Sequence, residues 1–531
     1  MSALTGTRGL VRLALRRDRV RLPLWVLWLG LIPPSFVSAT ERLYPTAAEQ
    51  LQYARTTGNS PTFLALYGPM HDPGLGGIVV QRAGLLSVVI ALISALTVIR
   101  HTRTEEEAGR RELLGATGTG RAAPLAAALL VAMSACLVSG VLVAAGMIGQ
   151  GMPAAGSVAF GLQLVIGGWA FAAVAGLAAQ LTVGSAAARG LSLTVLGAAF
   201  LIRMAADAVD GLSWLGWASP LAWAQRLRPY AGERWWPLAL AVAAVVALTW
   251  AAGRLAARRD LGAGMLPERL GPADAAPRLA GPFSLAWRLH RRTLYGWLAG
   301  FTALGAVYGG LAGGVQDMIG DNPGLREVFT RLGGASGLLD AYFASVMGIM
   351  GLIAAAYAVS AALRLRSEEA ALHIEPLLAT PAGRLRWAAS HLTVAAAGSA
   401  ALLAAGGLAT ALVHGLATDR LRADLPKVLG AAMAQLPAVW LIAAICVALF
   451  GLLPQLTTLS WSAVAAAGLV MAFGAGLDLS QPVRNLSPFT HVPQIGSADF
   501  TPAPLIALLV TAAALAALGL AGFRRRDLAL G

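Results

Sequence analysis

Twelve stretches of the chain are apolar over about 20 residues, the length at which a helix crosses the hydrocarbon core of a bilayer. They run roughly 22–40, 80–99, 122–148, 158–183, 188–207 and 236–255, then 293–315, 341–363, 389–414, 429–452, 456–477 and 503–523. Uninterrupted apolar runs of this length, with Gly and Ala dispersed through them, predict membrane helices that pack through small side chains. The expected fold class is therefore all-α, a polytopic membrane protein of about 12 spans. Pro33 and Pro34 predict a kink in the first span, because proline removes a backbone donor and crowds the preceding turn. A stretch rich in Pro, Gly and Arg separates the runs into two sets of six. This predicts a first half at 1–255, a linker at 256–282 and a second half at 283–531.

Composition agrees with the pattern: 57% of residues are hydrophobic and 12% are charged, against roughly 25% charged in soluble domains. A net charge of +14 would suggest a nucleic-acid partner for a soluble protein, but here its placement matters more than its sum. With the N-terminus in the cytoplasm, 27 of the 40 basic residues and 12 of the 26 acids fall on the cytoplasmic side. The positive-inside bias then predicts that N-terminus and C-terminus are both cytoplasmic. Arg8, Arg12, Arg16, Arg17, Arg19 and Arg21 alternate with Leu10, Val11, Leu13, Leu15 and Val20, which predicts a helix lying on the membrane surface with its arginines among lipid headgroups. The segment has neither the apolar core nor the small-residue cleavage site of a signal peptide, so it is expected to remain in the fold.

The most informative polar segment is a repeat. RTEEEAGRRELLGATGTGR, 103–121, returns 263 positions later as RSEEAALHIEPLLATPAGR, 366–384, with ten of nineteen positions identical. Such a period implies two pseudo-equivalent six-helix halves, each presenting this charged element between its second and third spans. On a continuous helix Glu105, Gly109 and Glu112 would share a face, and Glu106 with Arg110, Glu107 with Arg111 and Glu369 with His373 would form i,i+4 pairs. A solvated loop could also hold such pairs, each contributing only about 0.3–0.5 kcal/mol. Acids kept in register across diverged halves instead favour docking against a partner. The copies differ at Gly109/Leu372 and Leu113/Pro376, which predicts unequal contacts.

With these features the chain resembles the permeases of ABC-2-type exporters. The shared features are a six-helix unit with a basic lead-in helix, an E-E-x-x-x-x-x-E motif between spans two and three, and a Ser-Pro segment before span six (Ser219-Pro220-Leu221 and Ser487-Pro488-Phe489). The duplicated form is most similar to the twelve-span polyketide-antibiotic (tetronasin-type) exporter permeases of actinobacteria. The resemblance implies a multi-pass protein of the bacterial cytoplasmic membrane. It also implies ATPase-coupling residues at Glu105, Glu106, Gly109, Glu112 and Leu114, and at Glu368, Glu369, Glu375 and Leu377.

A P-loop needs a lysine after its glycine-rich turn, and the only lysine is Lys427, in DLPKVLG. The expectation is a transport subunit that is not itself an enzyme, with ATP and Mg bound by two copies of a separate ABC ATPase. Its other expected partners are membrane lipid and a hydrophobic or amphiphilic small-molecule substrate, with no nucleic acid. The alternative is a proton-coupled secondary antiporter, which needs a carboxylate within the membrane; the centres of the spans carry none.

Arg203 and Asp207, near the outer end of the fifth span with Asp210 following, either line a substrate path or pair and reach to the interface. Arg82 is expected to do the latter. Trp223 lies among Trp214, Trp217, Trp235 and Trp236, in a segment, 211–235, that is either an interfacial belt or a re-entrant outer gate; 484–502 is its counterpart. The seven histidines show no metal spacing, Cys136 and Cys446 read as packing residues, and no catalytic constellation stands out.

Overall fold

The computed structural model describes residues 3–527 apart from 60, 116–117, 209–210, 261, 267–272, 275, 321–333, 474–479 and 494–500. Every regular element among the described residues is helical, and ten of the helices are long and apolar enough to cross a membrane. The chain divides into two compact units at Gly271/Pro272.

The first unit begins with the surface helix α1 (Thr7–Arg17), followed by α2 (Arg21–Leu43). A cap at one end of the unit comprises α3 (Ala47–Tyr53) and α4 (Pro61–Tyr67). Then come α5 (Leu75–Arg82), α6 (Leu86–His101), the short α7 (Arg103–Glu107) and α8 (Arg110–Gly115), α9 (Ala123–Gly149) and α10 (Ala154–Leu181). The unit closes with α11 (Ser185–Ala208), α12 (Pro220–Gln225) and α13 (Trp236–Arg258).

α10 is its central helix, burying Phe160, Leu164 and Phe171 completely against α6 and α9. Glycine sets that approach: a Cβ on Gly161 would stand 2.3 Å from the Gly140 carbonyl oxygen of α9. α2 runs unbroken through Pro33 and Pro34, and Gly146 of α9 accommodates Pro34, whose Cγ would lie 2.4 Å from a Cβ there. The stretch at 80–99 is not one helix. It breaks between α5 and α6 at 83–85, where a Cβ on Gly84 would fall 1.9 Å from the Tyr67 carbonyl and the buried Gln81 donates to the carbonyls of Gly58 (2.7 Å) and Gly68 (3.0 Å). The cap is wedged into the apolar stretch at this point, through contacts that composition does not reveal. The beginning of the Pro/Gly/Arg-rich stretch also packs into this unit, with Met265 and Leu266 donating backbone N–H groups to Gln180 and Leu181 at the end of α10 (3.1 and 2.9 Å).

The second unit comprises α14 (Pro282–Gly320), α15 (Gly334–Ala362), the short α16 (Arg364–Ala370) and α17 (Ile374–Leu378), and α18 (Arg384–Ala417). After these come α19 (Leu421–Met433), α20 (Leu436–Leu452), α21 (Ser460–Phe473), α22 (Gln481–Arg484) and α23 (Ala503–Arg525). Its closest helix pairs again meet at glycines, Gly305 of α14 on Gly406 of α18 and Gly451 of α20 on Gly519 of α23. The stretch at 429–452 is divided at Ala434–Gln435 into α19 and α20. Ser219 and Ser487 both adopt extended backbone and are followed by a helical turn starting at proline, α12 in one unit and a 3-10 turn (Pro488–His491) in the other.

Candidate functional site: a pair of clasped elbows

The charged repeat folds in each unit as two short helices meeting at an elbow, not as one helix. The bend falls at Gly109 (φ +68°) between α7 and α8, and at Leu372 (φ +59°) between α16 and α17. The two copies, which differ most visibly here in sequence, therefore share the same left-handed backbone. Glycine accepts it freely, whereas a residue with a Cβ is strained by about 1–2 kcal/mol. Leu372→Gly is expected to tighten the second elbow, and Gly109→Val to loosen the first by about 1–2 kcal/mol. Protease sensitivity of each loop in the folded protein measures both effects.

The elbow rewires the charge pairs. Arg110 binds Glu105 (2.8 and 3.0 Å), Arg111 binds Glu106 (2.9 Å) and His373 binds Glu368 (3.0 Å), each five residues apart instead of the four that a continuous helix would give. The shared face expected for Glu105, Gly109 and Glu112 is likewise absent: Glu105 lies on α7, Gly109 is the bend and Glu112 lies on α8.

The second acid of each pair is buried and clasped to the end of the unit's last long helix. Glu106 accepts two hydrogen bonds from the Arg259 guanidinium (2.8 and 3.0 Å), and Glu369 accepts two from Arg526 (2.7 and 2.8 Å). Arg259 immediately follows α13 and Arg526 immediately follows α23; both take extended backbone, which ends the helix and turns the side chain back to the elbow. Bidentate guanidinium–carboxylate pairs of this kind fix orientation as well as distance. Neither arginine was found by reading the repeat alone. The signal was available, because R-R-D-L occurs at 258–261 and again at 525–528.

The surroundings of the clasps differ. Glu106 also meets Arg103 (3.4 Å), Arg111 and the Gly262 N–H (2.7 Å), and Arg103 is itself buried, donating to the carbonyls of Ala179 and Ala263. Among the described residues Glu369 has only Arg366 (3.4 Å) besides Arg526, whose guanidinium lies 5.0 and 5.2 Å from the rings of Phe450 and Phe523. In the first unit Glu105 reaches Arg17 of α1, and Glu107 accepts from the N–H and hydroxyl of Ser185 (2.6 and 2.5 Å) at the N-terminus of α11, where the helix dipole favours an anion. In the second, Glu368 pairs with Arg364 (2.8 Å).

The third acid behaves differently. Glu112 and Glu375 are exposed and form no ion pair among the described residues. Leu377 is half-buried against Trp387, Phe450 and Phe523 of its own unit, while the side chain of Leu114 lies outside the described residues. Of the three acids that the copies share, then, two build the elbow and one is exposed.

At the far end of the first unit, Arg203 is buried. It donates to the carbonyls of Ala65 (2.6 Å) and Leu66 (3.0 Å) of α4 and lies 3.6 Å from Asp207, with Gln225 beside both. It thereby pins the cap to α11. Arg82 lies 5.7 Å from the rings of both Tyr44 and Tyr53. Trp223 donates to the Trp217 carbonyl (2.8 Å), and Trp217 stacks with Trp236 and carries the Arg226 guanidinium over its ring. Asp210 lies outside the described residues. In the second unit a groove of about 260 Å³ opens between α15, α18, α20 and α23; its wall is almost entirely alanine, leucine and valine, with Trp440 as its one large aromatic. No cluster of three or more metal-binding side chains occurs among the described residues.

Comparison with known proteins gives two findings. The family described as "Multidrug efflux system permease Rv1217c, C-terminal domain" matches residues 279–524. The chain is also 44% identical over 527 residues to the multidrug efflux system permease protein Rv1217c of Mycobacterium tuberculosis, across 99% of this chain and 96% of that protein. At that identity and coverage, this multi-pass membrane protein belongs to the Rv1217c family of multidrug efflux system permeases.

Proposed function

We propose that the chain is the membrane subunit of an ATP-driven ABC-2-type exporter, of the duplicated polyketide-antibiotic kind. It moves hydrophobic or amphiphilic small molecules outward across the bacterial cytoplasmic membrane. Two copies of a separate ABC ATPase, holding ATP and Mg, dock on the elbows at 103–121 and 366–384, and no ATP is bound by this chain. The observation that carries this reading is the duplicated clasp. Each elbow exposes one acid, Glu112 or Glu375, and is locked through Glu106–Arg259 or Glu369–Arg526 to the end of a long apolar helix. Load applied to the exposed acid therefore reaches the α13 or α23 helix through a bidentate contact rather than dissipating in a loop.

Three further points support it. The permease Rv1217c is named as part of a multidrug efflux system, which fits a chain that works with partners. The only lysine, Lys427, pairs with Asp340 (3.1 Å) and follows no glycine-rich turn. The alanine-walled groove of the second unit presents a surface suited to apolar cargo, which such walls hold without much discrimination. In proteoliposomes containing the chain and its ATPase, efflux of a lipophilic dye is expected to require ATP and to persist when the pH gradient is collapsed. Efflux driven by a pH gradient alone, with no ATPase present, would establish the secondary antiporter instead.

A further inference from the structure

The first unit holds a cavity of about 410 Å³ directly beside its elbow. One wall is apolar: Leu10, Leu13 and Ala14 of α1 face Pro124, Ala127 and Ala128 of α9. The other is cationic. Arg17, Arg111, Arg121 and Arg259 line it against two acids, Glu105 and Asp260. Glu105 is already engaged by Arg17 and Arg110, and Arg111 and Arg259 share the single carboxylate of Glu106, so positive charge is in excess.

Arg121 distinguishes the two halves. Its counterpart in the repeat, Arg384, donates to the Arg526 carbonyl (2.9 Å) and so braces the second clasp. Arg121 makes no hydrogen bond or ion pair among the described residues and stands in the cavity lining. The same cation is thus used internally in one unit and left for a ligand in the other.

We propose that this cavity binds one anionic phospholipid, with its phosphate among Arg17, Arg111 and Arg121 and its glycerol backbone and upper acyl chain on the apolar wall. The volume lies within the range of small-ligand pockets. The paired apolar and cationic walls select an amphiphile over a free anion, and α1 supplies both kinds of contact from one face through Leu10, Leu13, Ala14 and Arg17, at i, i+3, i+4 and i+7. With α1 lying along the membrane surface, as its alternating arginines predict, the cavity would be reached by lipid of that leaflet. Because Arg17 also holds Glu105, a bound phosphate would bear directly on the elbow.

The test is lipid retention by the purified full-length chain, read by native mass spectrometry after exchange into dioleoyl-phosphatidylglycerol or dioleoyl-phosphatidylcholine. One phosphatidylglycerol per chain is expected to be retained and phosphatidylcholine to be lost. Arg121→Gln should weaken retention about fivefold, the usual effect of one cation at a membrane surface. Arg16→Gln removes the same charge from an exposed position on α1 outside the cavity, and should change retention by less than about twofold. Leu13→Trp narrows the cavity without altering charge and should also release the lipid. The proposal is overturned if Arg16→Gln and Arg121→Gln act equally, if phosphatidylcholine is held as well, or if inorganic phosphate displaces the lipid and so marks a soluble-anion site. Retention is read without ATP or ATPase, so its result is independent of whether the coupling assignment holds.

Discussion

Arg526→Ala is expected to abolish most ATP-driven efflux while the protein still inserts and accumulates. The substitution leaves the Glu369 carboxylate, only 2% exposed, with Arg366 at 3.4 Å as its sole partner among the described residues. Removing one partner of a buried pair costs about 3–5 kcal/mol, because the other charge is stranded without its solvent. The structure can relieve that cost by swinging the elbow out to water, which disconnects it from α23. Neutralising both ends should recover much of the loss, since a Gln at 369 no longer demands a guanidinium; the double variant Glu369→Gln/Arg526→Ala should outperform Arg526→Ala.

The first unit reverses the order of severity. Arg259→Ala leaves Glu106 with Arg103, Arg111 and the Gly262 N–H, so it should be milder than Arg526→Ala. Glu106→Gln leaves three guanidiniums crowded without their shared anion, so it should be more damaging than Glu369→Gln. Dye efflux, with thermal unfolding of each purified variant, measures all four.

Charge reversal at the exposed acids is the second large effect. Glu112→Lys together with Glu375→Lys should leave folding and insertion unaltered, because neither side chain has a partner within the described residues. The double variant should nevertheless lose its ATPase, since juxtaposed like charges at an interface cost several kcal/mol. Either single reversal should retain one ATPase contact and an intermediate rate. Loss of expression in the double variant would instead place these acids in the fold.

Much of this organisation is legible from residue pattern alone. Apolar length locates the long helices, and the register of RTEEEAG against RSEEAAL reveals the duplication and the segment that matters. The division of labour among the acids is not legible there, for two physical reasons. The bend depends on backbone conformation, and Leu372 gives no compositional sign that it adopts the left-handed region that Gly109 adopts easily. The clasp joins residues 153 positions apart in one unit and 157 in the other, so no local periodicity reports it. Only the echo of R-R-D-L after α13 and α23 hints that the same arginine is needed twice. The break between α5 and α6 is hidden in the same way, since Gly84 is required by the Tyr67 carbonyl that packs on it, not by anything nearby in sequence.

If two elbows on one chain seat two ATPases, the mass of the complex purified through the permease after co-expression with its ATPase shows it most directly. Two ATPase copies per permease are expected in the native chain, one in Glu112→Lys or Glu375→Lys, and none when both are reversed. Two copies retained by the double reversal would contradict it.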